Sequence, residues 1–447
     1  MIEDKNNKGI VSLLFDSLNQ EKISYLVLRN YKELPEKPLE GSDIDLLISR
    51  KDEEKYLLAF KKAISESGSR ILLKIRQSNC LSFFIYQKNP NFIATWIDAF
   101  WEISNKSFVF ADSKFLLENR IRHEKGFFIP PLGGESATLF IKDALTLSFI
   151  QERYRSKIKD LVKEGKENFI KTLKPYFKEK VIKEMFRICL NEKWEEVAKK
   201  RKNWWRSLVL NSFSKKPFIQ TLKFLDFSFS QLKKFITKKG IIIAVIGPDG
   251  VGKTTICQSL KDKLDNFYFR EFYQYHSHFG LFPELGKIYQ RLFRKSISED
   301  NLSQENKIGA FRAILHLFYY GLENFLAWPL IFWLKIRGNL IIFDRYFYDF
   351  IAANTNSKFA LWLFWQIVKI IPHPDILFVF KASPEKIYER KKELSLGEIK
   401  RQLEAFQNSK ISKITSTVFI NNEEKINVIL EKIEDEIIKA LAKKYNN

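Results

Sequence analysis

From residue 241 onward the chain alternates between short apolar runs and long segments with a helical period. The runs at residues 241–246, 340–343, 376–380 and 417–420 consist almost entirely of aliphatic and aromatic residues. Strands that are covered by helices on both faces of a parallel sheet have this composition. The pattern predicts an α/β domain of three layers, with a parallel sheet between two layers of helices.

The first part of the chain has shorter elements. Residues 10–18 and 54–64 have a helical period, and residues 25–28 and 44–48 have the composition of strands. Residues 137–239 contain almost no glycine and no β-type alternation, and a break at residues 214–217 interrupts their helical pattern. The sequence therefore predicts an α+β domain at 1–136, a basic helical connector at 137–239 and the α/β domain at 240–447.

Length and charge narrow the class of protein. With 447 residues, the chain is long enough for two or three domains. Its formal net charge is +22, and residues 151–240 hold 25 Lys and Arg against 10 Asp and Glu. Such an excess favours nucleotides, nucleic acid or an anionic membrane as partners, or it reflects the solvated faces of lysine-rich helices. Nucleic acid is not expected, because no helix-turn-helix, RNA-recognition or zinc-finger pattern is present.

Cysteine usage and hydropathy bear on the location of the protein. Cys80, Cys189 and Cys257 are far apart in the sequence and form no metal-binding spacing, which favours a reducing compartment. The N-terminal residues carry charges and no apolar signal segment, so a cytoplasmic protein is expected. Residues 313–334 contain a single formal charge, Glu323, and we interpret them as a buried or membrane-leaning helix interrupted near Pro329.

The strand at 241–246 leads directly into the sequence GPDGVGKTT at residues 247–255. A strand, this spacing and a following helix define a phosphate-binding loop. Its glycines let backbone N–H groups surround phosphate oxygens, and the helix directs its positive end at the same anion. Lys253 is expected to reach the β and γ phosphates of ATP, and the Thr254 hydroxyl to bind Mg²⁺. The predicted nucleotide-binding residues are Gly247, Gly250, Gly252, Lys253, Thr254 and Thr255.

Two later segments extend this predicted site. The strand at 340–343 ends in Asp344 and Arg345, where a carboxylate would organise Mg²⁺ and a guanidinium would neutralise the transferred phosphoryl group. Residues 383–407 predict two helices that meet near Leu394, with Arg390 and other cations at the junction. This basic hairpin would close over the phosphates of ATP, or it is only a pair of solvated helix faces.

The N-terminal domain carries a separate group of carboxylates. Asp43 and Asp45 are two residues apart at a predicted strand and should lie on one face of it. Asp98 ends the predicted strand at 93–98 and would complete a site for a divalent metal. The alternatives are a ligand-binding site without catalysis and an unrelated acidic turn.

The phosphate-binding loop, the triplet Asp344-Arg345-Tyr346 and the segments at 374–386 and 418–421 together resemble thymidylate kinases. The resemblance covers about residues 241–445. It implies that Asp249 contacts the phosphoryl acceptor and Arg345 the phosphates, with Lys253, Asp344, Arg345 and Asp249 as the catalytic group and ATP and Mg²⁺ as cofactors. The segments at residues 390–395 and 402–406 resemble those of the thymidylate kinase-like proteins encoded with bacterial polysaccharide genes.

The acceptor is expected to differ from that of a thymidylate kinase. The family's Arg-Glu-Pro-Gly-Gly type motif is replaced here by aromatic residues that run to His276 and His278. We therefore expect dTMP to be a poor acceptor and a glycan or glycolipid to be a better one, with contact to a membrane surface. The two histidines have no third ligand in view, so we expect them to pack or to bind the acceptor rather than a metal.

Residues 25–100 are similar to the DxD region of the nucleotidyltransferase superfamily. The family's Gly-Ser pair is replaced by Leu28-Arg29-Asn30. The leading hypothesis is an ATP- and Mg²⁺-dependent kinase with an appended nucleotidyltransferase-like domain, either as a monomer or as a homodimer. The alternative is an ATP-gated regulatory or nucleic-acid-binding protein whose nucleotidyltransferase domain is inactive.

Overall fold

The computed structural model of the chain describes residues 8–39, 42–88, 92–236, 240–264, 267–276, 279, 281–282, 310–353 and 357–443. The chain divides into two compact units, with the division after residue 235. We call them the N-terminal unit and the C-terminal unit and describe each by itself. No helix in the described ranges combines the length and the apolar character that crossing a bilayer requires.

The N-terminal unit begins with a five-stranded mixed sheet. Its strands, in the order β1-β2-β5-β4-β3, are paired antiparallel except for β2 and β5, which run parallel. Helices α1 and α2 follow the predicted segments closely because their apolar residues recur at helical spacing. The elements are α1 (Ile10–Gln20), β1 (Tyr25–Val27), β2 (Ile44–Ile48), α2 (Glu53–Ser67), β3 (Arg70–Arg76), β4 (Cys80–Gln87) and β5 (Ile93–Phe100).

The rest of this unit is mainly helical. Two short two-stranded sheets precede a series of helices that continues to residue 236. The elements are β6 (Ile103–Asn105), β7 (Phe108–Ala111), α3 (Ser113–Glu118), β8 (Ile121–Arg122), β9 (Phe128–Ile129), α4 (Leu132–Thr146), α5 (Glu152–Glu164), α6 (Lys166–Leu173), α7 (Glu179–Leu190), α8 (Glu196–Lys215) and α9 (Pro217–Ile236). The predicted break at 214–217 corresponds to the junction of α8 and α9.

The helices at 137–208 pack on the sheet and do not form a separate connector. One hydrophobic core joins Leu26 of β1 and Leu47 of β2 to buried residues of α4 through α8. Trp204 is fully buried in this core, and its indole N–H donates to Glu184 at 2.8 Å. The lysines of these helices lie mostly at the surface, where several pair with glutamates of the same helix or of another segment. The helical character was predicted correctly, and the shared core is the difference from the predicted organisation.

The C-terminal unit contains the predicted parallel sheet. Its five strands lie in the order β11-β12-β10-β13-β14, and every pair is parallel. The α/β fold class with a P-loop type of sheet is therefore confirmed. The elements are β10 (Ile241–Ile246), α10 (Lys253–Leu264), β11 (Phe272–His276), α11 (Ala310–Ile336), β12 (Leu340–Asp344), α12 (Lys358–Val368), β13 (Ile376–Lys381), α13 (Pro384–Arg390), α14 (Leu396–Gln407), β14 (Thr417–Asn421) and α15 (Ile426–Ala442).

Helix α11 differs from its prediction in one respect. It continues through Pro329 without interruption, so the expected break near this residue is wrong. Proline removes one backbone donor, but the helix has enough turns on both sides of it to persist. The single carboxylate of the segment, Glu323, is buried, and it accepts a hydrogen bond from the backbone N–H of Leu281 at 2.9 Å.

The three cysteines are buried thiols that form no disulfide. Cys80 lies on β4 and Cys189 on α7, both in the N-terminal unit, and Cys257 lies on α10 in the C-terminal unit. Burial raises the pKa values of the Cys189 and Cys257 thiols.

Candidate functional site

The loop between β10 and α10 has the geometry that its glycines predict. Gly250 and Gly252 have φ values of 84° and 96°, a region that residues with a side chain seldom occupy. A Cβ on Gly250 would lie 2.9 Å from the Cβ of Lys391, and one on Gly252 would overlap the amide of Asn422. That amide donates to the backbone carbonyl of Val251 and so fastens the loop to the end of β14.

Lys253 begins α10 and is more buried than the sequence suggested. Only 6% of the residue is exposed, whereas we expected its side chain to point into solvent or toward phosphate. Its ammonium group donates to the carbonyl oxygens of Gly247 at 2.7 Å and Pro248 at 3.0 Å, and lies 3.5 Å from the Asp249 carboxylate. Burial lowers the pKa of this ammonium group, although nearby carboxylates oppose the change. The charge is therefore held within the loop itself.

Thr254 and Asp344 form the part of the site that fits a divalent cation. Strand β12 pairs with β10 so that Asp344 lies opposite Val245, at the carboxyl ends of both strands. The Thr254 hydroxyl donates to Asp344 Oδ2 at 2.6 Å, and Asp344 Oδ1 is buried without a hydrogen-bond partner. A hydroxyl and a carboxylate at this position suit Mg²⁺, which takes few protein ligands and completes its shell with phosphate oxygens and water. The oxygen without a hydrogen-bond partner is therefore available to such a cation.

Arg345 and Asp249 pair across the mouth of the loop. The Arg345 guanidinium contacts the Asp249 carboxylate. The Arg345 side chain is 33% exposed and the Asp249 side chain is 12% exposed. Burial opposes ionisation of Asp249, but Lys253 and Arg345 outweigh it and lower the pKa of the carboxyl group. Arg345 has a φ of 83°, which costs about 1 kcal/mol for a residue with a side chain and is typical of functional sites. The resemblance to thymidylate kinases implied that Asp249 contacts the acceptor and Arg345 the phosphates, and the structure places these two residues in contact.

Arg390 and Lys391 close one side of the same cavity. Arg390 is the last residue of α13, and its guanidinium donates to the Asn422 carbonyl at 3.3 Å. His276, at the end of β11, lies on another side with Nδ1 3.5 Å from Asp344 Oδ2. His278 lies outside the described residues. The cavity measures about 730 Å³ and is lined by Asp249, Gly250, Gly252, Lys253, Thr254, Thr255, Ile256, His276, Arg345, Arg390, Lys391, Asn422, Glu424 and Ile426.

Asp349 is a component to which the sequence assigned no role. It lies on the 3-10 helix that follows β12, and its Oδ1 is buried without a hydrogen-bond partner. Burial raises the pKa of this carboxyl group to about 7, even though the charges of Lys253 and Arg345 act in the opposite direction. The only sequence signal was its position three residues after the Asp-Arg-Tyr triplet.

The raised pKa of Asp349 predicts a pH dependence of stability. The folded chain holds this proton more tightly than the unfolded chain, so its contribution is complete below pH 3.8 and is lost as the pH rises through about 7. Asp349→Asn removes that loss. We expect the free energy of unfolding of the variant, relative to wild type, to rise by about 1 kcal/mol or more between about pH 5 and about pH 8.

Urea denaturation at the two pH values measures this difference. The matched control is Asp262→Asn, because Asp262 is an exposed carboxylate on α10 of the same unit. Parallel pH profiles for wild type and Asp349→Asn would show that Asp349 is ionised in the folded chain throughout this range.

The N-terminal carboxylates lie close together, and one of them is paired with cations of the chain. Asp45 and Asp98 are opposite each other in the parallel pairing of β2 and β5, and Asp43 immediately precedes β2. Asp45 is 2% exposed, and its carboxylate is in contact with Arg29 and lies 3.4 Å from the ammonium group of Lys142. Within the described ranges, no three His, Cys, Asp or Glu side chains are grouped so that they could hold a metal ion.

Asp98 is also placed differently from its prediction. Strand β5 continues to Phe100, because Ala99 and Phe100 extend the pairing with β2. Asp98 is therefore inside the strand, and the predicted end of the strand at this residue is wrong. One of its oxygens, Oδ1, is buried without a hydrogen-bond partner, and burial raises the pKa of the carboxyl group to about 7.

Comparison with known proteins relates the C-terminal unit to a family of kinases. The family model for thymidylate kinase matches residues 245–442. A thymidylate kinase from Ehrlichia chaffeensis is 15% identical, with 44% of this chain and 98% of that chain covered and a TM-score of 0.31. A deoxyadenosine kinase from M. mycoides, solved with dCMP and a flexible dCDP, is 14% identical over the same shares, with a TM-score of 0.29. Curated proteins give no match.

The C-terminal unit is therefore similar to the thymidylate kinase family over residues 245–442, and its parallel sheet with a phosphate-binding loop is of the P-loop type. The matched region begins in β10 and ends in α15, so it includes the loop, Asp344, Arg345 and the hairpin that carries Arg390. The family match does not extend into the N-terminal unit, whose resemblance to nucleotidyltransferases stays a prediction.

Proposed function

We propose that the chain is an ATP- and Mg²⁺-dependent kinase of the nucleoside monophosphate kinase type. The hydrogen bond between Thr254 and Asp344 carries this proposal, because it places a hydroxyl and a half-satisfied carboxylate beside a phosphate-binding loop. Lys253 and Arg345 add two cations to the same cavity. Phosphoryl transfer needs positioning and charge stabilisation more than covalent catalysis, and these groups supply both.

In this proposal each residue of the cavity has a definite task. Backbone N–H groups of the loop, with Gly247, Gly250 and Gly252, hold the phosphates of ATP together with Thr255 and Arg390. Thr254 and Asp344 would hold Mg²⁺, which when bound would supply positive charge that offsets the charge of the phosphates. Lys253 exchanges its loop carbonyl partners for phosphate, and Arg345 neutralises the transferred group. Asp249, which the Arg345 guanidinium keeps ionised, accepts a hydrogen bond from the acceptor.

A nucleoside monophosphate such as dTMP is one candidate acceptor, and the thymidylate kinase family match favours it. A glycan or glycolipid at a membrane surface is the other. It is favoured by an aromatic face on the C-terminal unit, which we define as the exposed apolar side chains of α11 and α12. Phe311 is 81% exposed and Trp362 is 55% exposed. The remaining members include Leu315, Phe318, Leu322, Phe325, Trp328, Trp333 and Phe359.

The charges around the aromatic face match an anionic surface. Helices α11 and α12 contain one carboxylate, Glu323, and it is buried away from the face. The cations lie in or beside the first and last turns of the two helices, at Arg312, Lys335, Arg337, Lys358 and Lys369. Apolar side chains bordered by Lys and Arg are typical of helices that lie in the plane of a bilayer interface. A second copy of the chain is the competing occupant of this face.

The acceptor is tested by comparing kcat/KM for dTMP and for sugar and glycolipid acceptors, the latter presented in anionic vesicles. We expect dTMP to be the poorer substrate, because strand β11, which lies beside β12 in the sheet, is rich in aromatic residues. Its last residue, His276, lies beside Asp344, where phosphoryl transfer would take place. A kcat/KM for dTMP of about 10⁴ M⁻¹s⁻¹ or more would make the chain a thymidylate kinase.

Two controls complete this experiment. Light scattering of the purified chain shows whether a homodimer occupies the aromatic face in place of a membrane. Omission of Mg²⁺, with every acceptor, separates phosphoryl transfer by this site from contaminating activity. Two results together would favour the ATP-gated regulatory alternative. One is ATP hydrolysis without transfer to any acceptor, and the other is a partner whose activity the chain regulates.

A further inference from the structure

The N-terminal unit contains a buried ion pair at the position where its sequence predicted a metal. This feature is independent of the proposed kinase activity, which belongs to the other unit. Asp45 lies on β2 and is almost fully buried, and its Oδ2 atom is the one that contacts both Arg29 and Lys142. A buried carboxylate requires a compensating positive charge, because desolvation of an isolated anion is very costly.

Arg29 is held in place by the backbone as well as by its charge. The N–H of Leu28 donates to the carbonyl of Asp45 at 2.8 Å, and β1 pairs antiparallel with β2 just before this point. The next residue, Asn30, has a φ of 56°. The loop therefore turns immediately after Arg29 and leaves its side chain beside the Asp45 carboxylate.

A hydrogen-bond network fixes this turn to two other elements. The Asn30 amide donates to the Ser42 hydroxyl at 2.5 Å, just ahead of β2, and the Tyr154 hydroxyl of α5 donates to Asn30 Oδ1 at 3.0 Å. Lys142 approaches Asp45 from α4. Two segments that are distant in sequence, the turn with Arg29 and α4 with Lys142, thus reach one carboxylate, and α5 holds the turn in place.

Cations of the chain already offset much of the negative charge near Asp45. Arg29 and Lys142 supply two positive charges beside the carboxylates of Asp43, Asp45 and Asp98. A divalent cation on Asp45 would have to approach a guanidinium that is already in contact with the same carboxylate, and like charges at that distance repel strongly in a poorly solvated site. Arginine also cannot avoid this repulsion by losing its proton.

We propose that Arg29 is the built-in counter-ion of Asp45 and that the carboxylate cluster of the N-terminal unit works without a divalent metal. Arg29 is a positioning residue in this account: it occupies the place of the metal and holds β1, β2 and α5 around it. The unit then has no means of metal-dependent nucleotidyl transfer. Its remaining accessible groups, such as Asp43 and Lys142, are suited to hydrogen bonding with a polar ligand.

Mn²⁺ binding to the full chain, followed by electron paramagnetic resonance without nucleotide, tests the proposal. We expect no Mn²⁺ site in wild type that depends on Asp45. Arg29→Gln should create one, with an affinity at least about tenfold higher than any wild-type binding, because it removes the competing cation. Asp45→Asn added to Arg29→Gln should abolish the gain, and Arg29→Lys, which keeps the charge, should show none. Arg187→Gln, which alters an exposed pair on α7, is the matched control.

Thermal unfolding gives a second readout if Arg29→Gln does not fold. Mg²⁺ bound at Thr254 and Asp344 can raise the unfolding midpoint, because a metal that binds only the folded state stabilises it. We therefore expect any rise with added Mg²⁺ to be the same in wild type and in Asp45→Asn. We also expect the double variant Arg29→Gln/Asp45→Asn to unfold at a temperature closer to wild type than either single variant does, since each single change leaves one buried charge without its partner. A wild-type chain that binds Mn²⁺ or is stabilised by Mg²⁺, and that loses this effect with Asp45→Asn, would overturn the proposal.

Discussion

Lys253→Ala is expected to reduce ATP-dependent phosphoryl transfer on the order of 10²-fold or more, without unfolding the C-terminal unit. The ammonium group is held by two carbonyl oxygens of its own loop and lies 3.5 Å from the Asp249 carboxylate, so the variant loses a positioned positive charge from the loop. Initial rates with saturating ATP, together with the thermal unfolding midpoint, measure the two parts of this expectation.

The matched control for this variant is Lys439→Ala. Lys439 is a lysine on α15 that pairs only at the surface with Glu436, and its loss should leave the rate unchanged. Because Lys253 is buried, Lys253→Met serves as a second variant that preserves most of the side-chain volume. A folded Lys253→Met chain with nearly normal activity would show that the loop does not bind the reacting phosphates.

Thr254→Val should have the second-largest effect. Valine keeps the shape of threonine but cannot donate to Asp344 or bind a cation, so both Mg²⁺ and the Asp344 carboxylate lose a partner. We expect kcat to fall by about 10²-fold, with a higher Mg²⁺ concentration needed for half-maximal rate. Initial rates measured across a Mg²⁺ titration give both quantities.

Thr254→Ser restores the hydroxyl and is the control for this change. We expect it to retain most of the activity and the wild-type Mg²⁺ requirement. If the valine and serine variants responded equally to Mg²⁺, the metal would have to be held elsewhere, and Asp344 would be only the acceptor of a structural hydrogen bond.

Strand β11 of the C-terminal sheet is partly exposed and was not among the predicted strands. Strands β10, β12 and β13 could be predicted because they are buried on both faces. Such strands are continuous apolar runs, and the loop at 247–255 has its glycines where the backbone requires them. The pairing of Arg345 with Asp249 and the burial of Asp349 could not be predicted. Both depend on how side chains turn within a cavity, which no sequence spacing specifies.

The N-terminal unit shows the same limit in another form. The strand that carries Asp45 was predicted correctly, but its partners come from a loop 16 residues before it and a helix 97 residues after it. A pair of carboxylates on a strand is typical of a metal site, and only the fold reveals that cations of the chain already reach one of them. Helix α4, which carries Lys142, belongs to the segment that was predicted as a connector. The many lysines of this segment made the apolar positions that pack on the sheet harder to recognise.

The buried cysteines give each unit its own indicator of unfolding. A thiol reagent cannot reach Cys80 or Cys189 until the N-terminal unit opens, or Cys257 until the C-terminal unit opens, and the high pKa values of the two helical thiols keep them unreactive until then. Peptide mapping after alkylation would thus assign each modified thiol to one unit. The natural chain, without any added label, can report whether ATP protects only the unit that carries the phosphate-binding loop.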